Sequence, residues 1–165
     1  MTKNTAVNYG ILAGVGAVAY FLLFYFINKR LMLSPAVNWG SVAIFILFMV
    51  LACRRQGDLQ EAFGFKEALR TAFLTYLVAD VIYYVFYYVL HGMVDPELAV
   101  IQQEMMLETT ERLGEMLGSD VLEEDIGKLS REDLEIRPGG LLLSLSWSLI
   151  GGFIISLIIA IFTKR

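Results

Sequence analysis

The sequence contains little of the chemistry on which most enzymes depend. Its 165 residues include one cysteine, one histidine and three prolines, and only 18% of them are charged. The single cysteine, Cys53, excludes an internal disulfide and a cysteine-pair metal motif, and the single histidine, His91, excludes a paired-histidine zinc motif. No nucleophile–base pair or phosphate-binding loop is recognisable either. We therefore expect a protein that is not an enzyme and that has no cofactor and no bound metal.

Basic residues are also scarce where a nucleic-acid-binding surface would need them. The net charge is −4, from 13 basic and 17 acidic residues. Thirteen of the acids but only four of the bases fall within residues 95–137, so that segment has a charge of −9 and the rest of the chain +5. The remaining bases flank apolar segments and form no basic patch. The sequence therefore predicts no nucleic-acid partner.

Apolar residues, in contrast, are abundant and occur in long runs. They make up 57% of the chain, against about 45–50% in a soluble domain. A membrane-spanning helix needs about 20 mostly apolar residues, and four segments meet this requirement: about 9–27, 36–52, 71–90 and 141–162. We predict an all-α membrane protein in which residues 1–165 form a single four-helix transmembrane domain.

The acidic segment 95–137, between the third and fourth spans, is predicted to be helical. The sequence VDPEL places Asp95 at the N-cap, Pro96 at the first helical position and Glu97 in the first turn, which is a strong helix start. Apolar residues then recur at helical spacing, and a second short helix is predicted near Asp120. We expect a long acidic helical hairpin outside the membrane.

The basic residues predict an orientation. Four spans place both termini on the same side as the connection 53–70, and that side carries Lys3, Arg54, Arg55, Lys66, Arg70, Lys164 and Arg165. The other side carries Lys29 and Arg30, besides four bases diluted in the acidic loop. The positive-inside rule therefore predicts an inner (cytoplasmic) membrane protein with N-in/C-in topology and the 95–137 loop outside.

The connection 57–70 is expected to lead helically into the third span. Phe63 and Phe65 are predicted to lie at the headgroup boundary, while Lys66 and Arg70, four residues apart, share the wet face of the helix. Contact with anionic lipid is one interpretation of these two bases. Ordinary topology anchoring is the favoured one.

The third span is unusual because its apolar run, TAFLTYLVADVIYYVFYYVLH (71–91), has an aspartate at its midpoint. At about 100° per residue, six polar side chains lie within about 60° of the direction of Asp80: Tyr76, Asp80, Tyr83, Tyr84, Tyr87 and His91. An ionised carboxylate at that depth costs at least about 2.5–3.5 kcal/mol, so we expect Asp80 to face the bundle interior, to be protonated, or both.

Three interpretations of this polar stripe remain open. Asp80 is a structural anchor bonded to a tyrosine or to a serine of the fourth span, or it forms a proton or cation path with His91, or the two residues line a pocket for a lipid headgroup. The structural anchor is favoured, because hydrogen bonds between membrane helices fix their register. The tyrosines near both ends of the span are also typical of interfacial belts.

Small residues predict how the helices pack. In the fourth span they recur every four residues, at Ser144, Ser148, Gly152, Ser156 and Ala160, and in the first span Gly10 is paired with Gly14 and Ala13 with Ala17. Such spacing lets helix backbones approach closely. Packing within the bundle is favoured over a dimer interface.

The stretch FGFKEALRTAFLTYLVADVIYYVFYYVLHGMVDPEL resembles the core of a bacterial family of small four-span inner-membrane proteins, a domain of unknown function found mainly in the Bacteroidota. The matching positions are Phe63–Arg70, Ile82–Tyr83 and Asp95–Glu97, and the likeness extends over essentially the whole chain. At Asp80 the family is expected to carry a small or apolar residue. The resemblance implies no activity, and it associates the chain with small subunits of envelope machinery, such as those beside polyprenyl-phosphate glycosyltransferases.

Taken together, these features predict a non-catalytic membrane subunit or scaffold of a larger envelope-associated complex. Its expected partners are membrane lipid and another membrane protein or a second copy of itself. The alternative is a homo-oligomeric transporter of a lipid-linked substrate or an ion that uses the stripe around Asp80. This alternative involves an oligomer, because four helices alone enclose little space for a transport pathway.

Overall fold

A computed structural model describes residues 4–60, 62–117 and 138–164, and in these ranges the chain is helical with no β-strand. The helices are α1 (Thr5–Ile27), α2 (Lys29–Met32), α3 (Pro35–Gly57), α4 (Phe65–Val89), α5 (Glu97–Leu117) and α6 (Pro138–Thr163). Leu90–Val94 continue α4 as a π-helical turn, which closes with a bond of 2.8 Å from the N–H of Asp95 to the carbonyl of Leu90.

Four of these helices are long and apolar enough to cross a membrane: Thr5–Ile27, Pro35–Gly57, Phe65–Val94 and Leu143–Thr163. The predicted all-α architecture with four helices of membrane-spanning length is thus confirmed. Large apolar side chains cover the outer surface of the bundle, and Phe26 and Phe162, for example, are 80% and 83% exposed. Because apolar surface on this scale is unfavourable in water, these helices indicate a multi-pass membrane protein.

Polar caps set the turn between the first two spans. Asn28 closes α1 through its backbone N–H, which donates to the carbonyl of Phe24. Its side chain caps α2 by accepting hydrogen bonds from the N–H groups of Arg30 and Leu31 at 2.8 and 3.3 Å. Ser34 then caps α3 through the N–H of Val37 at 3.5 Å, followed by Pro35 at the first helical position. Such residues at helix starts satisfy N–H groups that would otherwise lack partners.

Helix α4 lies at the centre of the bundle, in contact with α1, α3 and α6. Small residues of α1 allow a close approach. A Cβ atom on Gly10 would lie 2.8 Å from the carbonyl oxygen of Thr75, and one on Gly14 would lie 2.8 Å from the Cβ of Ile82. Ala13 and Ala17 are fully buried in the same core. The small residues predicted in the first span therefore pack within the molecule, against α4.

The entry into α4 differs from the prediction. The described part of residues 58–64 is not helical, and α4 begins only at Phe65, with Gly64 at its N-cap. Phe63 was expected at the headgroup boundary, but it is 1% exposed and belongs to the main core cluster. A Cβ atom on Gly57 would lie 3.3 Å from its ring. The close of α3 at Gly57 thus leaves room for Phe63 to fold back into the core.

The acidic segment is described only in its first half. Helix α5 spans Glu97–Leu117 as one helix, and it starts within two residues of the predicted N-cap Asp95. The second half of the predicted hairpin, near Asp120, lies outside the described residues.

Candidate functional site

The deepest part of the polar stripe is a hydrogen-bonded group of three residues that joins α4 to α6. Asp80 is 1% exposed and Tyr76 is 8% exposed. The hydroxyl of Ser148 donates to Asp80 Oδ1 at 3.0 Å. The Tyr76 hydroxyl lies 2.6 Å from the same serine oxygen and donates to the Ser148 carbonyl at 3.1 Å. One serine of the small-residue stripe therefore holds both polar groups of α4, the contact that a structural anchor requires.

The small residues of α6 make this contact possible. A Cβ atom on Gly152 would overlap the ring of Tyr76, so only glycine lets the ring lie this close to the α6 backbone. Ser156 and Ala160 are fully buried further along the same face, and the Ser156 hydroxyl donates to the Gly152 carbonyl at 2.7 Å. Ser144 is exposed at the other end of the stripe. Ser148 and Gly152 of the stripe therefore contact α4, and Ser156 and Ala160 lie in the interior of the bundle.

The remaining stripe residues, Tyr83, Tyr84, Tyr87 and His91, line a cavity of about 260 Å³. We call the end of the bundle that carries α2 and α5 its loop-side end, and the cavity lies there. Its other walls include Asn38 of α3, Gln102 of α5 and Ser144 of α6. Aromatic and polar groups therefore line one shared space, a composition typical of small-ligand sites.

His91 lines this cavity, and the tautomer of its neutral ring follows from geometry. Its Nδ1 lies 3.1 Å from the carbonyl oxygen of Tyr87. A carbonyl only accepts hydrogen bonds, so a neutral His91 carries its proton on Nδ1 and leaves Nε2 as an acceptor. The ring stacks on Tyr87 at 3.8 Å, and the Tyr87 hydroxyl donates to Gln102 Oε1 at 3.0 Å. Tyr87 thus joins α4 to α5.

Two buried polar atoms have no hydrogen-bond partner within the described part of the chain. They are Oδ2 of Asp80 and Nε2 of His91. A buried acceptor without a partner costs free energy, and such groups are frequent at functional sites. The two unpartnered atoms thus belong to Asp80 and His91, which the sequence analysis had singled out. Asp80 lies in the three-residue group and His91 lies at the cavity.

An ion-pair cluster holds α5 over the loop-side end. Lys29 lies 2.6 Å from Asp95 and 2.7 Å from Glu97, and Tyr25 donates to Asp95 at 2.9 Å. Arg30 extends the cluster to two acids of α5, Glu104 and Glu108, at 3.0 and 3.1 Å.

The contacts within the cluster shift the pKa values of Asp95, Lys29 and Arg30. The hydrogen bond from Lys29 lowers the pKa of Asp95 below its ordinary 3.8, and the bonds to Asp95 and then Glu97 raise the pKa of Lys29 above 10.5. The bonds from Arg30 to Glu104 and Glu108 raise the pKa of the guanidinium. Each of these three shifts favours the charged form, so Asp95, Lys29 and Arg30 are charged near neutral pH.

The family described as a protein of unknown function, DUF4199, matches residues 8–165, which include every residue of the three-residue group, the cavity and the ion-pair cluster. The chain belongs to this family. No match was found among curated proteins or among solved structures. The resemblance to a family of unknown function is confirmed, and DUF4199 supplies no activity to transfer.

In this DUF4199 chain the polar stripe is divided into two places. Asp80 and His91 are eleven residues apart, which corresponds to roughly 16 Å along a helix. They therefore cannot act on one bound atom. Across residues 4–60, 62–117 and 138–164, no three or more His, Cys, Asp or Glu side chains are grouped to hold a metal ion.

Sequence reasoning missed the ion-pair cluster of this DUF4199 member. It assigned Asp95 to capping and Lys29 to membrane flanking, yet the two side chains meet across 66 positions of sequence. A weak signal was present, because Glu104 and Glu108 are four residues apart and share one face of α5. Two acids on one face favour a cationic partner, and Arg30 pairs with both of them. Gln102, the partner of Tyr87, had no such signal.

Proposed function

We propose that the protein is a non-catalytic integral membrane subunit or scaffold of a larger envelope-associated complex. The observation that carries this proposal is the use of the intramembrane polar groups for joining helices. Tyr76, Ser148 and Asp80 join α4 to α6, and Tyr87 joins α4 to α5. Polar groups that bond helix to helix fix the arrangement of the bundle and the position of α5. A scaffold requires such a fixed arrangement.

The proposal places this body in a bacterial inner membrane, with both termini inside and α5 outside. The bacterial membrane is inferred from the Bacteroidota-type proteins that the sequence resembles. The orientation is inferred from the excess of bases near the termini and in the connection 53–70, according to the positive-inside rule. The partner is proposed to be a second membrane protein.

Mild-detergent purification from native membranes, followed by mass spectrometry and mass photometry, tests the scaffold proposal. The expected result is a second protein in a fixed stoichiometric ratio, which withstands washing and is absent from a mock purification. A particle that contains only this chain and lipid would contradict the proposal.

A second candidate function is transport of an ion or a lipid-linked substrate by a homo-oligomer. It is favoured by the cavity of about 260 Å³ and by the unpartnered acceptors of His91 and Asp80. The acceptor on His91 would take a hydrogen-bond donor, such as a hydroxyl or ammonium group of a headgroup. Passage beyond the cavity would require Asp80 to exchange its bond with Ser148.

The substitution Asp80→Asn separates the two candidates. Asparagine retains an oxygen that accepts from Ser148, so a scaffold keeps its fold, its partner and its thermal stability. A proton or cation path needs an ionisable group and loses flux in proteoliposomes. His91→Gln serves as the parallel variant at the cavity, because glutamine retains hydrogen-bonding capacity but cannot titrate. Unchanged flux and growth in both variants would exclude the transport function.

A further inference from the structure

The end of the bundle opposite the loop-side end carries a second and larger opening. A groove of about 470 Å³ lies between α3 and α6, and we call it the α3–α6 groove. Its size falls within the range of about 300–1,000 Å³ that is usual for ligand sites. It shares no lining residue with the cavity around His91 and therefore belongs to a different site.

The lining of the groove is divided into an apolar wall and a charged mouth. Val50, Ile158 and Phe162 contribute to the wall, and Ile158 and Phe162 are 51% and 83% exposed. Arg54 from the end of α3 and Lys164, directly after α6, contribute two cations at the mouth, and Asp58 contributes one carboxylate. Arg55, next to Arg54, is exposed but does not line the groove.

The position of the groove in the membrane indicates which kind of molecule fits an apolar wall with a charged mouth. The wall belongs to two helices of membrane-spanning length, so the exposed apolar side chains face acyl chains. The mouth lies where these helices end, which is the depth of lipid phosphates. Basic pockets between membrane helices bind anionic headgroups. Charge complementarity therefore favours a lipid with a net negative headgroup over a zwitterionic one.

We propose that the α3–α6 groove binds one anionic phospholipid. Arg54 and Lys164 hold its phosphate, and an acyl chain lies along Ile158 and Phe162. This proposal does not depend on the scaffold or the transport function, because it concerns a different end of the bundle and a ligand already present in the membrane.

Native mass spectrometry of the delipidated full-length chain, titrated with phosphatidylglycerol and with phosphatidylcholine, tests the proposal. The double variant Arg54→Gln/Lys164→Gln is expected to lose about thirtyfold in apparent affinity for phosphatidylglycerol, since each cation near an anionic lipid contributes about fivefold. The matched control is Arg55→Gln/Lys66→Gln, which removes the same charge at the same end of the bundle but outside the groove. It is expected to lose less than twofold.

The conservative variant Arg54→Lys/Lys164→Arg keeps the charge and is expected to keep the affinity, which separates lost binding from lost folding. Thermal unfolding in a zwitterionic detergent checks the fold of every variant. The acyl-chain contact is tested by Phe162→Ala against Phe26→Ala, an equally exposed phenylalanine outside the groove; only the first is expected to weaken binding. Equal losses in the two glutamine pairs, tight binding of phosphatidylcholine, or equal effects of the two alanine variants would overturn the proposal.

Discussion

Gly152 and Gly151 are neighbours in α6, but their surroundings are opposite. A Cβ atom on Gly152 would overlap the Tyr76 ring, whereas one on Gly151 would meet nothing within 4 Å. We expect Gly152→Ala to destabilise the protein by about 1–3 kcal/mol, because the ring is held against the helix by core packing and cannot withdraw without strain.

Gly151→Ala is the matched control for this prediction. Alanine is intrinsically the better helix former by about 1 kcal/mol, so this variant is expected to be neutral or slightly more stable. Reversible unfolding in detergent, followed by circular dichroism, measures both. Equal stability of the two variants would show that Tyr76 does not lie against Gly152.

Single residues also show where sequence reasoning succeeds and where it stops. Asp80 was recognisable because a carboxylate at the centre of an apolar run must find a polar partner, and the spacing of small residues in α6 placed Ser148 among the candidates. The direction of Phe63 was not recognisable. It depends on the end of α3 at Gly57, a tertiary contact that local hydropathy does not contain.

Among the elements, α5 is held in part by ion pairs, besides the hydrogen bond from Tyr87 and the buried side chain of Leu98. Lys29 binds Asp95, whose side chain is 10% exposed, and Glu97, whose side chain is 68% exposed. A pair shielded from water interacts more strongly than an exposed one. We therefore expect Asp95→Asn to release α5 from α2, and Glu97→Gln, which removes the same charge beside the same lysine, to have a much smaller effect.

Hydrogen–deuterium exchange at neutral pH measures this release as faster exchange of the α5 amides in Asp95→Asn. Added salt is expected to accelerate exchange in the wild-type chain as well, because exposed ion pairs such as those of Arg30 are screened. Identical exchange in Asp95→Asn and Glu97→Gln would show that the Lys29–Asp95 pair does not hold the helix.

The same cluster predicts the direction of a pH effect. The docked pKa of Asp95 is lowered from 3.8, so its contribution to docking is present above that value and is lost as the pH falls through the lowered pKa. The docked pKa of Lys29 is raised from 10.5, so its contribution is complete below that value and is lost as the pH rises through the raised pKa. α5 is therefore expected to stay docked from mildly acidic to mildly alkaline pH.

The spans themselves were predictable, because membrane thickness imposes a length of about 20 apolar residues and hydropathy alone satisfies it four times. The ends of the spans were less predictable. α4 continues through the π-helical turn to Val94, beyond the predicted end at residue 90. That extension brings Asp95 to Lys29 and depends on a contact between distant segments, which no local pattern encodes.

For the whole molecule, the charge distribution is the property with the largest consequence. The four spans separate a loop-side end, where acids dominate, from an end where Arg54, Arg55, Lys66 and Arg70 lie together. On the loop-side end, Lys29 and Arg30 are paired with acids, which offset their positive charge. The positive-inside rule counts Lys and Arg rather than net charge, so the proposed orientation rests on the bases at the other end.

The proposed topology is tested by single cysteines in a Cys53→Ala background. Thr109→Cys lies on the exposed surface of α5, and Gln60→Cys lies in the connection between α3 and α4. Because the bases are concentrated at the end that carries Gln60, we expect a membrane-impermeant maleimide to label Thr109→Cys in spheroplasts and Gln60→Cys only in inverted vesicles. The reverse pattern would place α5 in the cytoplasm, and any extramembrane partner of α5 would then have to be cytoplasmic.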